Sequence, residues 1–333
     1  AYIVDSTSSP VCVLIPVISW GAYTMGLMEQ AYASEGIAKD GFVAFREVWF
    51  YQLYPLLTLG GVFFVASLNL YIGRMAHAQQ ALLEGKLTYD DSEIKDKPLS
   101  AKQLRFGARV TLMALGALFA SMLLMFTIFV SRTGGLDGPT IRVVLAMSYT
   151  LATIVTIAAL SRYNLFSLSK SSASFFGGMG KIMPILCILI LAWTMSDVLA
   201  ALDTGGTIAA LLKAMNFPSW MLASMIFLVG ACLSLATGSS WGPFALIIPI
   251  VVPLAIAREI SVPICLGAAL SGGLFGDQTS PISDTTVLSS MSSGVSHMAH
   301  VETQFPYALI TAGFTFFGFI LASLIEGLGP MYL

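Results

Sequence analysis

The chain has 333 residues, 56% of them hydrophobic and only 10% charged, with a formal net charge of −2 and a mean hydropathy of +0.84. Polar side chains are too few to clothe a soluble globule of this length, so the composition puts the chain in lipid. Near-neutral charge, with no basic face beyond one loop, excludes a nucleic-acid footprint.

In chain order, the opening AYIVDSTSSP has neither Met nor a charged leader before a short apolar core. No signal peptide is read there, and a first part of the protein is expected to be missing. Asp5 in this opening fits either an N-cap to a helix near Pro10 or a group lining a transport pathway. Apolar runs fall at 10–28, 49–73, 107–130, 140–160, 183–201 and 305–325. Each is close to the ~20 residues that cross a bilayer core. The separator 74–109 holds Arg74, Lys86, Lys95, Lys97, Lys102, Arg105 and Arg109, and 161–182 holds Arg162, Lys170 and Lys181 with no acid. Both read as cytoplasmic, and the two runs between them put them on the same side. Asp197, near the end of its run, is an interfacial acid or a pathway group. Cys12, Cys187, Cys232 and Cys265 stand singly in apolar sequence and read as buried thiols.

The apolar stretch 219–257 is nearly twice what one crossing needs, so it must break or fold back. The interruption is written as Thr237-Gly238-Ser239-Ser240-Trp241-Gly242-Pro243. A second interruption is expected near 276–282, where Gly272, Gly273, Gly276 and Pro281 bracket Asp277. Irregular backbone at membrane depth is tolerated where protein buries it or it lines a cavity, and paired interrupted segments point to a transporter's binding site. Asp277 and Asp284 are costly there, at about 2.5–3.5 kcal/mol per ionisable group on insertion scales. No Lys or Arg follows Arg258, so each acid must be protonated or face a bound cation unless a distant segment neutralises it. Either Asp also fits a helix cap, Asp284 more readily because it follows Pro281. Thr237, Ser239, Ser240, Ser280, Ser283, Thr285 and Thr286 suit helix packing or a cation's oxygen shell. His297 and His300, three apart, would suit metal binding or pH sensing on a helix, and are read before that as an exposed interfacial loop.

TGSSWGPFALIIPI, LFGDQTSPISDTTVLSS and HVETQFPYAL resemble the second half of the NhaC family of sodium/proton antiporters, and DSTSSPVCVLIPVISWGAY resembles a segment near the middle of that family's chain. The resemblance implies two inverted repeats with broken helices, the first mostly absent here. It puts Asp277, Ser280, Asp284 and Thr285 on signature positions. The chain departs from the family at Gln278, where a basic residue or His is frequent, and at Ser296-His297-Met298-Ala299-His300, where acids are frequent nearby. Both departures bear on substrate identity.

The reading is an all-α, polytopic inverted-repeat secondary transporter. Residues 1–73 would close the first repeat with connecting spans, 74–106 would be a cytoplasmic loop, and 107–333 the second repeat. It would exchange Na⁺ for H⁺ across a bacterial inner membrane by competition at Asp277 and Asp284, with Thr285, Ser280, Ser239, Ser240 and Thr237 as candidate ligands and Asp197 and Asp5 along the pathway. No cofactor is expected, the partners being membrane lipid and the exchanged ions; a homodimer stays open. The alternative keeps the fold and exchanges small organic acids of the malate/lactate type, or amino acids. An aspartyl protease using Asp197 and Asp277 would need Gly-x-Gly-Asp, and Gly273-Leu274-Phe275-Gly276-Asp277 is one residue too long.

Overall fold

The computed structural model describes residues 1–16, 18–84, 101–133, 138–202, 207, 210 and 218–326. Among them every regular element is helical, as expected of an all-α chain. The helices are α1 (Tyr2–Leu14), α2 (Ser19–Ser34), α3 (Gly41–Val48), α4 (Leu53–Leu68), α5 (Arg74–Leu83), α6 (Ala101–Thr133) and α7 (Gly138–Arg162). They continue as α8 (Leu168–Ala201), α9 (Leu222–Thr237), α10 (Trp241–Ala257), α11 (Val262–Thr279), α12 (Asp284–Ser292) and α13 (His297–Glu326). Phe106–Arg132, Val143–Arg162, Ser219–Thr237 and His297–Glu326 are each long and apolar enough to cross a membrane, and the pair running from Gly41 to Leu68 bends by 48° at Gln52. The protein is polytopic.

Residues 91–186 form one compact unit, in which α6 and α7 pack together and Phe106 stacks on Tyr163 at 5.4 Å between ring centroids. Leu112, Phe119, Leu123 and Leu124 stay exposed along α6, an apolar face suited to hydrocarbon.

Residues 1–90 and 187–333 form the other unit, built around α11. This helix is buried on every side from Ile264 to Thr279, the signature of a central element rather than an amphipathic one. The glycines expected to interrupt it do not. A Cβ at Gly276 would lie 2.3 Å from the Leu235 amide nitrogen and 2.5 Å from the Ala231 carbonyl, so the missing side chain lets α11 press directly on α9. The helix ends instead at Ser280, extended at φ −74° and ψ 131° because Pro281 follows it.

The same chemistry splits the run expected as one span over 10–28. Pro16 holds Ile15 at φ −96° and ψ 116°, ending α1, and the chain restarts as α2 at Ser19. Between α9 and α10 the break comes from Gly238, at φ +65°, while Pro243 sits in the first turn of α10, where the amide proton it lacks would have no helical partner. Two Ser-Trp-Gly triplets, 19–21 and 240–242, thus stand where half-helices restart. Their tryptophans meet edge to face at 6.0 Å, and the Tyr23 hydroxyl donates to the Trp241 carbonyl at 3.1 Å.

Candidate cation site

Two non-helical links, 238–240 after α9 and 280–283 after α11, touch each other. A Cβ at Gly238 would lie 2.4 Å from Ile282 Cγ1 and 2.9 Å from the Ile282 carbonyl carbon, and Ser280 Oγ donates to the Leu235 carbonyl at 2.9 Å. The links therefore form one crossing of irregular backbone, buried at Ser239, Ser240, Ser280 and Ser283 and exposed at Pro281 and Ile282.

Asp277, in the last turn of α11, points into this crossing and is 1% exposed. Its Oδ1 accepts from Ser283 Oγ at 2.7 Å, and because that hydroxyl has given its proton, Thr285 is the donor in the 2.9 Å contact between Thr285 and Ser283. Oδ2 has no hydrogen-bond partner; the buried Ser240 hydroxyl lies beside the carboxylate, also without one of normal geometry. Asp284 opens α12 with its carboxylate against the backbone N–H groups of its own residue and Thr285. Asp284 and Asp5 are close enough to act electrostatically on Asp277. Taking a carboxylate out of water costs several kcal/mol per ion, so three such groups in reach of one another call for compensating positive charge.

The other candidate residues are placed unevenly. Thr237 donates to the Leu233 carbonyl at 2.9 Å and the Ser239 carbonyl at 3.1 Å, which finishes α9. Ser239 Oγ accepts from the Trp241 amide at 3.3 Å and starts α10. Ser280 is held on α9. These three build the crossing, whereas Ser240 and Ser283 stand beside Asp277 within it, Thr285 bonds Ser283, and Asp284 lies within electrostatic reach. Asp197 lies on α8, and its side chain falls outside the described residues.

Asp5 is fully buried, and its Oδ2 accepts from His300 Nε2 at 3.1 Å and from Gln304 Nε2 at 2.7 Å. The histidines are not an exposed loop: both lie in the first turn of α13. His297 Nε2 donates to the Pro281 carbonyl, and His300 is 1% exposed. Gln304 Nε2 also donates to the Gln278 carbonyl at 2.7 Å, while the Gln278 side chain donates to Ser6 Oγ at 2.8 Å and accepts from the Tyr54 hydroxyl at 2.7 Å. Gln278, Gln304, Tyr54, Ser6 and the buried role of His300 were not legible from local pattern. Two signals bear on them. Asp-x-Thr-Ser recurs at 5–8 and 277–280, and His300 and Gln304 stand four apart on one helix face.

The profile of the Na⁺/H⁺ antiporter family matches residues 11–324. The chain belongs to the Na⁺/H⁺ antiporter family. Membership, with the apolar helices, makes it part of a multi-pass integral membrane protein, and the family's activity is transport rather than enzyme catalysis. The chain is 29% identical over 96% of its length to an uncharacterized protein of Haemophilus influenzae, of which it spans 63%. It is 34% identical to an uncharacterized Na⁺/H⁺ antiporter of the same organism, over 40% of this chain and 29% of that one. Over 30% of the chain and 22% of the relative it is 39% identical to the malate-2H⁺/Na⁺-lactate antiporter of Bacillus subtilis. No solved structure matches.

Proposed function

We propose that the whole protein is a secondary antiporter that exchanges Na⁺ for H⁺ across a bacterial plasma membrane, with the two ions competing at Asp277 and Asp284. One observation carries this reading: a buried carboxylate with one oxygen fixed by Ser283 and the other free of partners, beside the Ser240 hydroxyl and a second carboxylate. Such a group can be satisfied by a proton or by a hard cation, and either lowers the repulsion between the two acids. Na⁺ would take the free Oδ2, with hydroxyl oxygens of Ser240, Ser283 and Thr285 and the Asp284 carboxylate completing an oxygen shell; the proton leaves as it enters. Both loaded forms carry less charge than the empty site, which favours the swing between inward-open and outward-open states. The chemistry uses no cofactor beyond the exchanged ions. An inverted-repeat architecture would suit it, and the Ser-Trp-Gly triplets that restart α2 and α10 meet through their tryptophans.

A second reading, exchange of a small organic acid together with Na⁺, draws on the similarity to the malate-2H⁺/Na⁺-lactate antiporter. The crossing favours the first: the groups gathered in it are acids and hydroxyls, suited to a cation rather than an anion. The test uses everted vesicles carrying the full-length protein. Na⁺ alone should drive proton movement, and Asp277→Asn or Asp284→Asn should each abolish it while the protein remains inserted. Exchange at the wild-type rate in either variant removes that residue from the mechanism. A requirement for added organic acid moves the assignment to the second reading.

A further inference from the structure

We infer that Asp5, Ser9 and Gln304 form a second site for a small, hard monovalent cation, separate from the one at Asp277. Asp5 and Ser9 are four residues apart on α1, so their side chains are neighbours on one face of that helix, and both are buried. His300 Nε2 and Gln304 Nε2 both donate to Asp5 Oδ2. These two donors fix the carboxylate and leave Oδ1 without a partner. Ser9 Oγ and Gln304 Oε1 are likewise buried and unpartnered. The Gln304 amide is fully directional here, because both of its hydrogens are spent, one on Asp5 and one on the Gln278 carbonyl, so its free oxygen cannot be satisfied by flipping the group. Three buried, partnerless oxygens, one of them charged, thus belong to residues that adjoin one another, Ser9 one turn from Asp5 on α1 and Gln304 bonded to its carboxylate, and oxygen-only sets are what hard cations take.

His300 supports the site from behind. With its proton on Nε2 it orients the carboxylate, the role that imidazole–carboxylate contacts play around bound metals. The ionisable groups within electrostatic reach of Asp5 are Asp277 on α11, Asp284 on α12, Tyr54 on α4 and the amine of Ala1, besides His300 on α13. The acids make a positive occupant more favourable. The oxygen sets of the two sites share no atom, yet they are tied through one residue. Gln278 follows Asp277 directly, its carbonyl accepts from Gln304, and its side chain grips Ser6 next to Asp5. A cation at either site changes the field that its acids exert on the other, so the two occupancies are coupled.

This inference deepens the proposed exchange and rests on it only for that coupling. The test is equilibrium binding of ²²Na⁺ to the purified full-length protein in detergent, with proton release followed by an indicator dye. Wild type should bind two Na⁺, Asp5→Asn and Asp277→Asn one each, and the double variant none. Should Asp5→Asn fail to fold, Ser9→Ala keeps the question open to measurement, with one of the two sites expected to weaken about tenfold. Two Na⁺ in Asp5→Asn, or wild-type affinities at both sites in Ser9→Ala, overturn the inference. So does a wild type that binds a single Na⁺ lost in Asp277→Asn. An Asp5→Asn protein with unchanged Na⁺ count but diminished proton release makes Asp5 a proton carrier and also overturns it. If Asp277→Asn leaves two sites while Asp5→Asn removes one, the Asp5 site stands and the assignment of Asp277 falls.

Discussion

Ser283→Ala removes the hydroxyl that fixes Asp277 and is itself a proposed ligand of the ion. That hydroxyl donates to Asp277 Oδ1 at 2.7 Å and accepts from Thr285 at 2.9 Å. A hydrogen bond to a charged group contributes about 1.5–3 kcal/mol, and each 1.4 kcal/mol is tenfold in affinity. Losing it from a fully buried carboxylate should therefore weaken apparent Na⁺ affinity by about ten- to a hundredfold. Ser283 lies in a link between helices and its side chain is small, so insertion and folding should be unaffected. The assay is the Na⁺ dependence of dye-reported proton movement in everted vesicles at one fixed pH, normalised to the amount of protein in the membrane. Ser283→Thr, which keeps the hydroxyl, should recover most of the affinity. Wild-type Na⁺ affinity in Ser283→Ala, or no difference between Ala and Thr, refutes the role given to this contact.

If Na⁺ and H⁺ share the Asp277 site one for one, apparent Na⁺ affinity falls about tenfold per unit of falling pH in the range where the proton occupies the site, and saturating Na⁺ restores the rate. Titration of exchange against Na⁺ at several pH values decides it, and a constant affinity with a collapsing maximum rate counts against the shared site. Gly276→Val forces a side chain into backbone 2.3–2.5 Å away, so α9 and α11 must separate. The expected cost is about 1–3 kcal/mol or more, read as lost thermal stability in detergent, and an unchanged melting temperature would deny the close helix contact. Single cysteines placed in 84–97 and 164–176 should both react with impermeant reagents only from the cytoplasm. Labelling from opposite sides would mean that α6 and α7 are not both spans.

Asp277 and Asp284 stood out in the sequence because a carboxylate in apolar surroundings is costly wherever the chain puts it, so the signal needs no partner. The interruption at 238–240 was legible for a similar reason, since Gly238 followed by a polar pair inside an apolar stretch has few other uses. Gly272, Gly273 and Gly276 misled, because glycine marks both a loosened backbone and a tightly packed one, and only the neighbouring helix distinguishes them. The split at Pro16 went unread inside its apolar run, although the same Xaa-Pro chemistry ends α11. His300, Gln278, Gln304 and Tyr54 were out of reach for a different reason. Their bonds join residues 26 to 295 positions apart, and their meaning comes from tertiary contact rather than from local pattern.

On one continuous helix Asp277 and Asp284, seven residues apart, would be separated by about 10 Å along its axis at 1.5 Å per residue. The four-residue link lets α12 set off in its own direction while α11 stays clamped to α9 through Gly276. The link's length thus sets how the two acids stand to each other. A residue added to or removed from it would change where α12 starts relative to the end of α11, and with it the distance between the two carboxylates. Within this fold the length of the link is part of the site's chemistry, and an insertion there would act on ion exchange as directly as replacing either carboxylate.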